Sequence, residues 1–343
     1  MKLFHFGAVG LGAALLFILI WNIGPQALWH NFSRLGWGLV PFILIEGIAK
    51  IIHALGWRSC LAGPYKSLGF LRILGIDFVG HAMNYFTPTA TIGGEVVRVT
   101  LLYNSHKSPE AFTAVIVGKI TYVFAQILFV SLGSMFFFRK IPMPAAGYVL
   151  IFIVNFIILG GIIVFILIQK KGKLGALLRW LVSRRIGGKI VRKATDEITR
   201  VDEALKAFYN EHPGRFFSSV LWHILAMLFS ILKTWYFLFL LAGGALSAAA
   251  GIWFLSTWMD MLTFAIPLDI GINEGIRVLV FKAMQFGAAQ GLTFGIALRL
   301  DQIFWGALGL LIYAVYLPRI RQSIRSNPSL EYGVTENDPK ENA

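Results

Sequence analysis

An all-α integral membrane protein, folded as a polytopic helical bundle, is the class this sequence predicts, and three observations predict it. Apolar residues make up 57% of the 343 and charged residues only 14%, with a mean hydropathy of +0.70, far from the balance of a soluble domain. Apolar runs long enough to cross a hydrocarbon core of ~30 Å recur along the chain. A third sign is a repeated pattern, P-x6-E-x2-R-V. From Pro88, Glu95 lies seven residues on, Arg98 ten and Val99 eleven, and from Pro267 the residues Glu274, Arg277 and Val278 fall at the same offsets. Each copy follows one apolar run and precedes another, which reads as an internal duplication.

Behind Lys2, residues 4 to 21 resemble a signal-peptide core. No small-residue cleavage site follows in IWNIGPQALW, so a retained anchor is expected, spanning roughly Phe6 to Ile23. The polar stretch NIGPQALWHNFSRLGWG links it to a second span, Gly38 to Trp57, carrying Glu46, Lys50 and His53. Four residues apart, Glu46 and Lys50 share a helix face and are expected to pair. Leu68 to Phe86 leads into the Pro88 to Glu95 break and a short helix of about Glu95 to Tyr103. Glu110 to Phe138 and Ala145 to Ile168 are each long enough to cross.

Between Lys170 and Lys193 stand nine basic residues and no acid, the strongest cytoplasmic marker in the chain. The segment LLRWLVSRRIGGKIVRK can lay its leucines and tryptophan on the bilayer while its bases reach anionic inner-leaflet lipids. A mixed-charge helix follows and ends at His212-Pro213-Gly214. Phe216 to Leu241 crosses with Lys233 inside it. Then come Leu246 to Ile266, the Pro267 to Glu274 break, a short helix to Phe286, and a long run from Ala288 to Leu317. The expected organisation is one transmembrane domain over residues 1–320, with repeat 1 at about 38–138, the basic linker at about 169–214 and repeat 2 at about 216–317. Residues 321–343 are expected to form a polar, disordered tail.

If each broken segment dips in and returns on its own side, the chain makes about six full crossings and two re-entrant hairpins. With Lys2 and the basic linker inside, the first hairpin enters from the cytoplasm and the second from outside, giving an inverted repeat with both termini cytoplasmic. Nonhelical backbone at membrane depth is tolerated where it lines a site, so the breaks mark the site. Short helices starting near Gly94 and Asn273 aim backbone N–H groups and a positive dipole end at a cavity, which favours an anion. The candidate substrate-binding residues are Pro88, Gly94, Glu95, Arg98 and Lys119 in the first half, and Pro267, Asp269, Glu274, Arg277 and Arg299 in the second. Arg98 is expected to face the cavity. Glu95 and Glu274 each precede an arginine by three residues, a spacing that also suits local helix salt bridges. Asp301 is a further acid of the second half.

The stretches TPTATIGGEVVRVTLL, IPLDIGINEGIRVLVF and ALRLDQIFWGALGLLIY resemble the lysylphosphatidylglycerol synthase transmembrane region, also called the flippase-like membrane domain family. The likeness runs over about residues 5 to 320, and its most specific element is carried by Pro88, Gly94, Glu95, Arg98 and Leu101, with Asn273 standing where the first copy has Gly94. Synthases of this family append a soluble aminoacyl-transfer domain that this chain lacks, so the resemblance does not imply synthase activity. It implies a translocase that moves a lipid with an anionic head group between leaflets of the cell's inner, cytoplasmic membrane.

No GxxxxGK[ST] motif is present, so nucleotide is not the expected driver. No cofactor or metal is expected. Two other readings stand beside the first: an intramembrane lipid-modifying transferase with His81, Asn84 and Glu95 near one mouth, and a noncatalytic membrane partner of lipid-synthesis enzymes. The net charge of +14 gathers in linker and tail, which suits lipid head groups and not nucleic acid. The lone Cys60 excludes an intramolecular disulfide. Oligomeric state and the identity of the lipid are not legible.

Overall fold

The computed structural model describes residues 2–61, 63–87, 92–106, 110–137, 145–173, 202–203, 205–263 and 270–325. Pro88, Pro267, Asp269, most of the basic linker and the terminal tail lie outside these residues. Within them the chain forms helices and turns, without a strand. The α-helices are α1 (Lys2–Ile23), α2 (Pro25–Leu35), α3 (Leu39–Cys60), α4 (Phe70–Phe86), α5 (Gly93–His106), α6 (Glu110–Phe137), α7 (Ala145–Lys170), α8 (Pro213–Ala242), α9 (Leu246–Thr263), α10 (Ile272–Ala283) and α11 (Ala288–Arg325).

Five runs among the described residues are long and apolar enough to cross a bilayer: Pro25–Cys60, Glu110–Phe137, Tyr148–Lys170, Pro213–Ala242 and Ala288–Tyr316. The remaining expected span is α1, a helix of 22 residues. Large apolar side chains stay uncovered by protein along these runs; Phe156 on α7 is 69% exposed and Leu311 on α11 is 67% exposed. Surfaces of that kind are stable only against hydrocarbon, and the chain is a helical membrane protein. Helices α5 and α10, with 14 and 12 residues, extend only about 21 and 18 Å at 1.5 Å per residue, too short to cross unaided.

The stretch read as a polar link is helical. Pro25 occupies the first helical turn of α2, where its missing N–H has no partner to lose. Leu28, Asn31 and Leu35 share one face at spacings of three and four, and that face is buried while Trp29 points out. Asn31 Nδ2 donates to Thr293 Oγ1 at 3.1 Å, tying α2 to α11.

The two halves pack reciprocally. Helix α3 lies against α8, α4 against α11, and α6 against α9, while α5 packs between α4 and α6 as α10 does between α9 and α11. Exchanging α3 with α8, α4 with α9, α5 with α10 and α6 with α11 maps this set of contacts onto itself. The duplicated letters of the sequence therefore correspond to duplicated packing.

Close helix approach depends on small residues, as expected where lipid supplies no hydrophobic drive. A Cβ on Gly309 of α11 would stand 2.4 Å from the Phe78 carbonyl oxygen of α4. On α7, Gly161 has nothing within 4 Å. Gly309→Val is expected to cost about 1–3 kcal/mol through overpacking and to lower the thermal midpoint of the detergent-solubilised protein, while Gly161→Val leaves it unchanged. Equal midpoints for the two variants would contradict the α4 to α11 contact.

Candidate functional site

In the first half, α4 brings Asp77 to a position where it is 2% exposed, and α5 presents Glu95 in its first turn and Arg98 one turn later. Arg98 Nη1 donates to Glu95 Oε2 at 2.7 Å, and Arg98 Nη2 lies 2.9 Å from Asp77 Oδ1. Lys119 Nζ, from α6, stands 3.2 Å from Glu95 Oε1. The guanidinium also lies over the Trp57 ring, 5.8 Å from its centroid. Arg98 is thus buried between two carboxylates and does not face an open cavity. Two glycines make the approach possible: a Cβ on Gly80 would meet Arg98 Nε at 2.3 Å, and one on Gly94 would meet the Gly80 carbonyl at 2.1 Å. The Gly94 N–H at the start of α5 is satisfied by Asn84 Oδ1 at 2.7 Å.

The second half builds a similar network with different bonds. Glu274, 1% exposed, accepts the Gly271 N–H on Oε2 at 2.7 Å and faces Arg299 Nε from α11 through Oε1 at 3.0 Å. Arg277 grips Asp260 of α9 with both prongs, Nη1 to Oδ1 at 2.9 Å and Nη2 to Oδ2 at 2.7 Å. In both halves the glutamate of the break reaches the base on the following long helix, and the arginine reaches an aspartate on the preceding helix. The three-residue spacing closes a local pair at Glu95 and Arg98, whereas Glu274 caps its own helix instead. Gly94 is required in the first break because a Cβ there would meet the Gly80 carbonyl at 2.1 Å.

A third network joins the halves at their centre. Lys233 of α8 lies 2.5 Å from Glu46 Oε2 of α3 and 3.0 Å from Asp301 Oδ2 of α11. Lys50 pairs with Glu46 as its spacing implies, but at the longer distance of 3.7 Å. Between this network and the second lies a cavity of about 150 Å³ lined by Lys233, Thr234, Ser256, Asp260, Arg277 and Gln302.

Of the residues singled out in the sequence, Gly94, Glu95, Arg98 and Lys119 come together, as do Glu274, Arg277 and Arg299 around the second break. Pro88, Pro267 and Asp269 fall outside the described residues. Sequence reasoning missed Asp77 and Asp260, each a lone acid in an apolar helix, a signal that membrane energetics alone flags. It also missed the convergence of His53, His81 and His223.

A family description, the lysylphosphatidylglycerol synthase TM region, matches residues 6–310. The chain belongs to this family. Another relative of this synthase-region protein is the UPF0104 membrane protein PH1989 of Pyrococcus horikoshii, 26% identical over 317 residues that cover 86% of this chain and 91% of that protein. No solved structure matches the chain significantly.

Each network balances two acids against two bases, so removing one member strands a charge in a low-dielectric surrounding. Asp77→Asn is expected to cost about 3–5 kcal/mol, seen as a lower thermal midpoint and reduced yield. The double change Asp77→Asn, Arg98→Gln should lose less than the two single losses added together, with a coupling of about 1 kcal/mol or more. Strict additivity in thermal denaturation would show that the 2.9 Å contact carries no energy.

Proposed function

We propose that this protein is a translocase that moves a lipid with an anionic head group between the leaflets of the cytoplasmic membrane, and that it performs no covalent chemistry. The observation that carries the reading is a buried arginine at each break, Arg98 and Arg277, each holding an aspartate of the preceding helix. A phosphate presents the same two-oxygen edge as the carboxylate that each guanidinium now holds. A head group can therefore enter by exchange with Asp260 or Asp77, which keeps the arginine paired throughout.

The reciprocal packing supports an inverted repeat, with α4 and α5 forming a hairpin from the cytoplasmic side and α9 and α10 one from outside. Both termini and the Lys170 linker then face the cytoplasm, where anionic inner-leaflet lipids meet the nine linker bases. Two related sites approached from opposite sides are the architecture that alternating access uses. The energy source in this reading is an ion gradient or the lipid gradient itself.

The test is a leaflet-resolved assay in vesicles containing the purified protein and a lipid with a phosphate head group. Redistribution without new product is the expected outcome, and a new lipid product would favour the transferase reading. Arg277→Lys retains charge but loses the planar fork, so it should slow redistribution at least tenfold while expression stays near normal. Normal transport by that variant would overturn bidentate recognition at Arg277. Cysteines placed in the Lys170 linker should be labelled only after the membrane is opened; labelling from outside intact cells would remove the inverted arrangement.

A further inference from the structure

Beside Arg98, three helices bring imidazoles together around Asp77 of the first network, His223 fully buried and His53 and His81 partly so. His53 comes from α3, His81 from α4 and His223 from α8, with ring centroids of His53 and His81 5.7 Å apart and of His53 and His223 4.4 Å apart. His223 is 0% exposed, and neither of its ring nitrogens has a hydrogen-bond partner. His53 Nδ1 is also buried and unpartnered, and His81 Nε2 has only the long contact to Asp77. Unpaired buried nitrogens are costly, and gathered in one place they favour an occupant.

We infer that His53, Asp77 and His81 form a binding site for a divalent transition cation of the zinc type. One donor atom from each of the three lies within 4.8 Å of the other two. His81 Nε2 and Asp77 Oδ2 face each other at 3.4 Å, longer than an N–H···O hydrogen bond but close to the ~3.4 Å that separates two ligands of a tetrahedral ion with bonds of about 2.0–2.1 Å. Asp77 and His81 are four residues apart, on one face of α4, the spacing by which a helix offers two ligands to one ion. Asp77 Oδ1 is held by Arg98 Nη2, which orients the carboxylate and leaves Oδ2 for the metal. Two imidazoles and a carboxylate leave a coordination position open. His223 stands beside it, admitted because residue 56 is glycine: a Cβ there would lie 2.7 Å from the His223 ring.

The ion would crosslink α3 to α4 and add positive charge next to Arg98, where Asp77, Glu95, Arg98 and Lys119 otherwise balance. The inference rests on ligand geometry and does not depend on the transport reading.

The full chain, purified in detergent without a polyhistidine tag and stripped with a chelator, is titrated with Co²⁺. The expected result is saturation at about one equivalent per chain, with the visible absorption of a nitrogen and oxygen ligand field that Zn²⁺ abolishes. His53→Gln and His81→Gln should each weaken binding at least tenfold, and the exposed His30→Gln should not. Zn²⁺ should raise the thermal midpoint of the wild type and of His30→Gln only. Because the ligand variants can fail to fold, X-ray absorption at the zinc edge of the wild type gives an independent reading, expected to show imidazole scattering. No saturable equivalent, equal affinity in all variants, or an edge spectrum without imidazole would each overturn the site.

Discussion

Charge inside a membrane protein has to be matched where it lies, and this bundle is arranged around that requirement. Lys233 is its centre: 5% exposed, it is shared between Glu46 and Asp301 and lies 5.2 Å from the centroid of the Phe42 ring. Phe42, Phe237 and Phe294 pack around the same core, at centroid distances between 4.8 and 6.2 Å. On this side the apolar shell lowers the local dielectric, which strengthens the ionic contacts, while on the other Lys233 borders the polar cavity. The long helices α3, α8 and α11 thereby meet at a position fixed by charge as well as by shape. The two breaks pack around this core, the first through α4 against α11 and the second through α10 against α11.

The helices were legible because bilayer thickness imposes a length and an apolar composition that few other constraints produce. The breaks were legible for the same reason, since proline, paired glycines and charges are conspicuous in such a setting. Helix α2 escaped notice as a helix because its polar and apolar residues alternate around a narrow stripe, and Asn31 is buried only by virtue of Thr293 across the interface. Glu95 was legible as a partner of Arg98 from its spacing, but the aspartate partners of the two arginines were not, for a geometric reason. Asp77 precedes Glu95 by 18 residues and Asp260 precedes Glu274 by 14 (95 − 77 and 274 − 260), so no common offset links them although they do the same work. The histidine cluster draws on three helices separated by long stretches of chain, and only tertiary packing brings it together.

Near-symmetry also makes the departures from it informative. In the first network the side chain of Asp77 is 3% exposed and that of Arg98 is 9% exposed, while Lys119 at its edge is 35% exposed. In the second, Arg277 is as buried at 7%, but its partner Asp260 is 37% exposed and lines the polar cavity that reaches Lys233. The two copies thus differ in which member reaches the surface: Lys119 in the first, and in the second Asp260, beside a polar cavity of about 150 Å³. In the proposed reading, exchange of Asp260 for a phosphate at Arg277 costs less desolvation than the same exchange at Asp77, because the Asp260 side chain is 37% exposed and that of Asp77 only 3%. The closed arrangement of the first half is held by the same glycines, Gly80 and Gly94, that let Arg98 approach the α4 backbone. Parting α4 from α5 would break this backbone approach together with the Arg98 to Asp77 pair, so packing and charge hold the two helices jointly.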